Sequence, residues 1–436
     1  ENGFVRSHVG QGTFVLERTS PLPSPISWNF SRAGQASGDR VRIPAALSSH
    51  PDPIDFASLV PDEELFPVES FRQVLDEALR RDGKQLLQYG PAPGHPPLRD
   101  YIARRLEGRG VRATAENVLI VNGSQQGLDL VCRNLLDPGD RVALESPTYT
   151  IVLPLLAQYQ ARIDEIRMTR QGMDLDALAR LLETTRPKFI FTMPTFHNPT
   201  GITMNEPDRR RLIEMGSRSG VPIIEDDFDS ELRFDGESVP PLKALDEHDG
   251  VLYIGTFSKG LFPGLRLGWI VAPRHVVEAM GRSKLIADYH SSLLLQEAVL
   301  RFCQLGLYDE HLKELAKIYR RKSRVLTGAL STYLPDAVRW TEPQGGYAFW
   351  ITLPRGLSAE ALLSESSREG VVFTPGSHFF VQGGGKRYLR LSISRVPENR
   401  IEEGIRKLAD IIGRQSARAT TDETHQAREQ EPALHI

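Results

Sequence analysis

Thr256-Phe-Ser-Lys259-Gly-Leu-Phe-Pro-Gly-Leu-Arg266-Leu-Gly268 follows directly on the apolar run Val251-Leu-Tyr-Ile-Gly255. This places a lysine at the end of a buried strand, with hydroxyls one and three residues before it and an arginine seven residues after it. The cluster suits an amine bound to a phosphorylated aldehyde. Thr256, Ser258 and Arg266 can take the phosphate, while the Lys259 amine would form the imine with the aldehyde. A lysine after a strand is, by itself, more often a surface residue, so its meaning depends on what the rest of the chain brings to the same place.

Outward from this stretch, apolar β-runs alternate with amphipathic helical patterns from about Pro53 to Gly413. The runs are 117–121, 141–145, 188–194, 222–227, 251–257 and 267–273. The rhythm predicts an α/β fold whose mostly parallel central sheet is covered by helices on both faces. After Leu293 one long helical pattern reaches about Leu330 and leads to short strands at 347–353, 371–376 and 388–394. These are expected to form a smaller α+β domain. The expected units are 53–87 (first part of the small domain), 88–310 (large domain), 311–414 (rest of the small domain) and a polar tail, 415–436, that should be disordered.

Three further strand ends carry polar clusters. Asn122-Gly123-Ser124-Gln125 lies between a strand and a helix, so its backbone N–H groups and Ser124 suit a phosphate at a helix N-terminus, although Ser124 equally serves as a plain N-cap. The turn His197-Asn198-Pro199-Thr200-Gly201 ends a strand and places the Asn198 amide to donate to a ring oxygen, or is a simple Asn-Pro turn. Glu225-Asp226-Asp227-Phe228-Asp229 terminates a buried strand at the edge where open α/β sheets bind ligands. One of its carboxylates, paired with a pyridine nitrogen, would keep that nitrogen protonated. A metal site or a solvated strand end is the alternative.

The bulk properties narrow the class. The chain has 436 residues, 40% of them hydrophobic and 25% charged, enough for a large core and more than one domain. A net charge of -3 argues against a generally basic nucleic-acid-coating surface without excluding a small basic module. The two cysteines, Cys132 and Cys303, fall in apolar helical contexts and read as buried thiols in a reducing, cytoplasmic setting. No apolar run approaches the roughly 20 residues of a membrane span. The chain starts at Glu1 inside a patterned segment, from which we expect that an N-terminal portion precedes it.

The segments 89–103, 122–130, 145–149, 197–201, 225–231, 256–268, 343–350 and 388–394, in that order, resemble fold-type I pyridoxal 5′-phosphate (PLP) enzymes of the aspartate aminotransferase superfamily. The likeness runs from about Asp55 to about Ile412. It implies PLP as cofactor, no metal, and Lys259 as the Schiff-base lysine and proton shuttle. It further implies Asp226 as partner of the pyridine nitrogen, Asn198 as donor to the phenolic oxygen and Tyr149 stacked on the ring. Ser124, Thr256, Ser258 and Arg266 match phosphate ligands, with Gly123 and Gln125 adding contacts. Tyr89 matches a tyrosine that reaches the phosphate across a homodimer interface. Arg390 matches the arginine that grips a substrate α-carboxylate, a task for which the bidentate guanidinium outperforms lysine.

The opening segment refines the resemblance. Gly3 to Val15 contains two runs of β-formers around Gly10-Gln11-Gly12 and is similar to the wing of a GntR-type winged helix. A wing remnant at 1–18, a Pro/Ser/Arg-rich linker at 19–52 and an aminotransferase-like body together resemble the MocR/GabR-like transcriptional regulators, as do His311–Arg321 and the triplet Glu225-Asp226-Asp227. Two positions depart from the pattern: Phe228 stands near where a phenol is usual, and Leu59 where glycine is usual. Leu59 should narrow the approach to the site, favouring a compact or unusual amine.

The preferred expectation is therefore a regulator. Its PLP domain would bind an amino acid or amine as an external aldimine and signal to DNA-binding domains mostly absent from this chain. The alternative is a stand-alone class I/II aminotransferase acting on an α-amino acid. A β-lyase or decarboxylase on the same fold is a third reading.

Overall fold

The computed structural model describes residues 5–10, 12–15, 50–381 and 383–429. The first of these pair as antiparallel strands β1 (Val5–His8) and β2 (Gly12–Val15), with Gly10 at φ 84° in the turn between them. The hairpin expected from the β-formers is present. Its reading as a DNA-binding wing is a proposal, and the linker expected at 19–52 lies, up to residue 49, outside the described residues.

After the short strand β3 (Ile54–Asp55), the large sheet is built from β4 (Val118–Val121), β5 (Arg141–Ser146), β6 (Arg162–Thr169), β7 (Gly172–Met173), β8 (Phe189–Thr192), β9 (Ile223–Asp226), β10 (Val251–Thr256) and β11 (Gly268–Val271). Their order is β4-β11-β10-β9-β8-β5-β6-β7. The pairs from β10 through β9, β8 and β5 to β6 are all parallel. Strand β11 runs against both of its neighbours. Every residue of β4, β8, β9, β10 and β11 is buried, the signature of a sheet covered on both faces. Successive side chains alternate between faces: Leu252 and Ile254 join one apolar cluster, Val251 and Tyr253 two others.

The second sheet is made of β12 (Arg339–Trp340), β13 (Ala348–Thr352), β15 (Thr374–Pro375) and β16 (Tyr388–Ser392), in the order β12-β13-β16-β15. The run expected as one strand at 371–376 is divided. Its first part, β14 (Val371–Val372), pairs in parallel with β3, and its second, β15, pairs with β16. Backbone hydrogen bonds thus tie residues 54–55 to the C-terminal part of the chain.

The single helical pattern read from Leu293 is two helices, Leu293–Gln304 and Leu307–Tyr333. Gly306 breaks it at φ 77°, a left-handed conformation that side-chain periodicity does not report. At the other end the helix Glu398–Glu429 carries through 415–429, where disorder was expected. That stretch is poor in apolar residues but contains alanine, glutamine, arginine and glutamate, which favour local helix.

One apolar cluster spans both sheets, from Phe71 and Phe302 through Tyr308 and Leu326 to Phe349, Leu391 and Ile405. The seam between the sheets is closed in part by the turn that ends in Gly201. Its φ is 70°, and a Cβ there would run into the Ala348 carbonyl of β13. Gly201→Ala should therefore cost roughly 1–3 kcal/mol of stability, because neither backbone can yield without moving the Asn198 turn. Urea unfolding monitored by circular dichroism would show the lowered midpoint, and an unchanged midpoint would mean that the seam accommodates a methyl group.

Candidate functional site

Strand β4 points the same way as β10, because both are antiparallel to β11. The carboxyl ends of β4, β5, β8, β9 and β10 therefore lie along one edge of the sheet. Ser124, Tyr149, Asn198, Asp226 and Lys259 each end or follow one of those five strands. Since β11 runs the other way, its amino end delivers Arg266 to the same edge. Open α/β sheets bind ligands there, because side chains after several strands converge without disturbing the ladder.

At one corner, Gly123 (φ 85°) caps the helix Ser124–Leu135 without a side-chain hydrogen bond, so Ser124 is the first helical residue and not the cap. Arg266 donates from Nη2 to the Asn122 carbonyl at 2.9 Å. A Cβ on Gly123 would lie 2.8 Å from that same nitrogen, so glycine lets the guanidinium lie against the helix start. Arg266 itself adopts φ 48°, which is unfavourable for a residue with a Cβ. The Thr256 hydroxyl accepts from the Ser258 N–H at 3.1 Å and donates to the Leu267 carbonyl at 3.0 Å. Gln125 Oε1 is buried without a protein partner.

Behind this corner Asp288 accepts from Asn122 (2.5 Å), Gln126 (2.6 Å) and the buried Lys284 (2.7 Å), which holds the Asn122 loop in place. Helix N–H groups, hydroxyls and a guanidinium in one place suit a phosphate monoester.

Lys259 occupies the middle of the edge. Its Nζ donates to the Leu59 carbonyl at 2.8 Å, and its own carbonyl accepts the Tyr347 phenol at 3.0 Å. Burial pulls the amine down to about 8, against the opposing pull of Asp229 and Asp226 and with help from Arg390 and Arg266.

The acidic run separates into distinct roles. Burial opposes ionisation of Asp227, but Arg109 (2.8 Å), Ser230 (2.6 Å) and Tyr253 (2.7 Å) all donate to it and hold it below the usual carboxylate range. Glu225 accepts the backbone N–H groups of Leu242 and Lys243. Asp226 Oδ1 is buried with no protein partner, and burial, then Asp227, push its carboxyl up to about 7. No group of three or more His, Cys, Asp or Glu among the described residues is placed to hold a metal ion.

Arg390, on β16, reaches the site from the second sheet. It donates to the Ala57 carbonyl (2.6 Å), Thr374 Oγ1 (3.1 Å) and Asn198 Oδ1 (3.1 Å), and lies over the Phe379 ring at 5.3 Å. All of these acceptors are neutral, its Nε has no protein partner, and burial pulls the guanidinium down to about 10. Asp55 favours the charged form but is not among its described hydrogen-bond partners, and a carboxylate ligand bound directly would relieve the remaining cost of the buried cation. The Asn198 carbonyl is engaged by Arg390, which leaves its amide nitrogen as a donor. Tyr149 sits among Asp226, Arg390 and Arg266; burial and Asp226 push its phenol up to about 12, against the two arginines.

Tyr89 stands apart from this group. It is 78% exposed and packs against Tyr289 at 4.9 Å between ring centroids, so it takes no part in its own chain's site. Phe228 lies in the apolar cluster with Ile224 and Leu252. The structure adds participants not singled out from sequence: Asp229, Thr374, Tyr347 and the Leu59 carbonyl. No local spacing shows Leu59, since it meets Lys259 across 200 residues of chain.

The family model of class I and II aminotransferases matches residues 52–408. The chain belongs to this family. Aromatic-amino-acid aminotransferase 1 from Thermococcus litoralis is 37% identical over 367 residues, covering 83% of this chain and 88% of that protein. The crystal structure of LysN, an α-aminoadipate aminotransferase from Thermus thermophilus complexed with N-(5′-phosphopyridoxyl)-L-leucine, superposes with a TM-score of 0.81 at 37% identity, covering 87% of this chain and 97% of that one. The probable rhizopine catabolism regulatory protein MocR from Rhizobium meliloti is 32% identical over 412 residues, covering 93% of this chain and 82% of that protein. The fold is that of fold-type I PLP enzymes, and the cofactor is PLP. The site suits it: the glycine cradle at Gly123, the orphaned Asp226 oxygen and the buried Lys259 amine are what phosphate, pyridinium and aldehyde require. Regulators are relatives, but at lower identity than the enzymes, which reverses the order of preference drawn from the hairpin.

The raised carboxyl of Asp226 has a stability consequence. An acid whose folded value lies above its unfolded one favours the folded state at low pH, and that contribution is lost as pH rises from about 4 towards about 7. In cofactor-free protein, Asp226→Asn should flatten the fall in melting temperature over this window and leave the variant at least as stable as wild type at pH 8, while weakening PLP binding. Identical pH slopes for the two proteins would show that Asp226 ionises normally.

Proposed function

We propose that this protein is a PLP-dependent aminotransferase acting on an α-amino acid. The observation that carries the proposal is the convergence, at one sheet edge, of a buried lysine of lowered basicity, an orphaned buried carboxyl and a buried guanidinium whose described hydrogen bonds all go to neutral acceptors. Higher identity to enzymes than to regulators supports the same reading.

Bound PLP supplies an electron sink for charge released at the substrate α-carbon. In this reading Gly123, Ser124, Gln125, Thr256, Ser258 and Arg266 hold the phosphate, and Tyr149 covers the ring. Asp226 keeps a proton on the pyridine nitrogen. Asn198 donates its amide N–H to the phenolic oxygen while its carbonyl steadies Arg390. Lys259 anchors the cofactor, and its Nζ carries the proton that must move at the α-carbon. Arg390 orients the substrate through its carboxylate. Tyr89, exposed on its own chain, reaches the phosphate of a second copy in a homodimer. The segments 53–87 and 311–414 form the smaller domain that carries Arg390, and 88–310 the larger one.

A second reading has its own support. The match to MocR covers 93% of this chain against 83% for the Thermococcus enzyme, and a hairpin precedes the family region. The same site would then sense an amino compound and transmit its binding to a DNA-binding domain.

Half-transamination with an amino-acid panel distinguishes the two. The enzyme reading predicts loss of the near-visible cofactor band with stoichiometric release of keto acid; a persistent spectral change without keto acid favours the sensor. Lys259→Ala should abolish the borohydride-reducible cofactor linkage without unfolding the chain. Arg390→Gln should keep the cofactor band but lower kcat/KM for amino acids about 30-fold, the equivalent of about 2 kcal/mol for charged hydrogen bonds. Retention of kcat/KM would place the carboxylate elsewhere.

A further inference from the structure

We propose that Arg209 and Glu145, two fully buried charged residues outside the set named above, are positioning residues for Asn198. Together they clamp the loop 194–204 and so aim the amide that meets the cofactor. The proposal rests on the reading that Asn198 donates to the phenolic oxygen, and it assigns what fixes that donor.

Asn205 caps the helix Glu206–Ser219 by accepting the Asp208 N–H at 2.8 Å. Arg209 stands near the start of this helix, where side chains lean back towards the N-terminus, and it therefore faces the loop that feeds the helix. Its Nε donates to the Met204 carbonyl at 2.9 Å. Its Nη2 donates to the Pro194 carbonyl and to Thr195 Oγ1, both at 2.9 Å. The guanidinium thus spans the neck of the loop, bonding the chain both where it leaves β8 and where it enters the helix. The Met204 N–H closes the same neck by donating to the Pro194 carbonyl at 2.8 Å. A fourth bond, from Nη1 to the Pro240 carbonyl at 3.0 Å, fastens the guanidinium from the other side.

Glu145, the last but one residue of β5, holds the incoming arm of the loop. It accepts the Thr192 hydroxyl on Oε1 at 2.6 Å and the Met193 N–H on Oε2 at 3.0 Å. His197 Nε2 lies 3.3 Å from the same Oε2, within ion-pair distance though not aligned as a hydrogen bond. The other ring nitrogen, Nδ1, lies 2.8 Å from Thr200 Oγ1 and accepts the Thr200 N–H at 3.4 Å. An accepting Nδ1 leaves the ring proton on Nε2, facing Glu145. Inside the clamp, the His197 N–H donates to the Ile202 carbonyl at 2.9 Å and the Gly201 N–H to the His197 carbonyl at 2.6 Å, which folds the turn around Asn198.

Charged groups are a costly way to fill a core, and apolar side chains of similar volume pack there more cheaply. The four described hydrogen bonds of Arg209 all go to neutral acceptors; Glu225 and Asp227 favour its charged form but are not among its hydrogen-bond partners. What an apolar residue cannot do is hold carbonyls on both arms of a loop in one plane. Lysine, a point charge on a flexible stem, cannot do so either.

The test uses the full chain with Arg209→Lys, which keeps the charge and loses the planar fork, and with Glu145→Gln, which keeps the shape and turns one acceptor oxygen into a donor. In cofactor-free protein, hydrogen exchange read by mass spectrometry should be about tenfold faster in the peptide 196–204 of either variant, and unchanged in β4 and β10. In PLP-loaded protein the pH midpoint of the near-visible cofactor band should rise by about half a unit or more, because a phenolic oxygen that loses an N–H donor becomes more basic. Asn198→Ala should raise it too, and adding either variant to that background should move it no further. Exchange at 196–204 that stays at the wild-type rate in the folded variants overturns the clamp. Faster exchange with an unmoved midpoint overturns the positioning of Asn198, since a purely structural pair would lower stability and leave the midpoint in place. Should Asn198→Ala itself leave the midpoint unmoved, the reading of Asn198 as donor fails instead, while exchange still decides the clamp.

Discussion

A lone charge withdrawn from water costs several kcal/mol, and the carboxyl edge of the large sheet holds Lys259, Asp226, Asp229 and Arg390 together, out of reach of bulk solvent. None of the four has the tight ion-pair geometry that Arg109 gives Asp227. The surrounding fold compensates: parallel strands buried on both faces fix where each residue emerges, and neutral carbonyls and hydroxyls take the hydrogen bonds that partners do not. The result is a set of groups whose proton affinities are displaced towards one another, Lys259 downwards to about 8 and Asp226 upwards to about 7. Such displacement is what acid–base chemistry near neutral pH requires.

The segment after β3 ties this edge to the second sheet. Ala57 gives its carbonyl to Arg390, Ser58 to Ser394 and Leu59 to Lys259. Three consecutive carbonyls thus engage residues from both parts of the chain, while β3 pairs with β14 and anchors the segment in the smaller unit. The Leu59 side chain packs against the apolar clusters on both sides of the seam.

Two elements show why local sequence runs out. The family resemblance singles out Arg390, but nothing in its local sequence shows that it meets the Asn198 turn, a contact across 192 residues. Asp229 reads as one more member of an acidic run. Its difference from Asp227 depends on Arg109 and Tyr253 supplying donors to one and not to the other. Likewise the Gly306 break and the division of 371–376 between two sheets arise from backbone conformation and long-range pairing, which side-chain periodicity does not encode.

What the sequence determined by itself is the order of parts. Strand-forming runs, each ending in its own polar cluster, specify a parallel sheet with functional groups at one edge, because in such a sheet the ends of parallel strands must coincide. The hydroxyls and arginine around Lys259 suited a phosphorylated aldehyde, and the ordered set of segments from 89 to 394 carried the resemblance to the family. Only the tertiary structure decided which carboxyl is paired and which is orphaned, that Tyr89 faces away from its own site, and that Leu59 meets Lys259. Those outcomes depend on burial and on contacts between residues far apart in the chain, and the energy of a charge is set by its surroundings rather than by its neighbours in sequence.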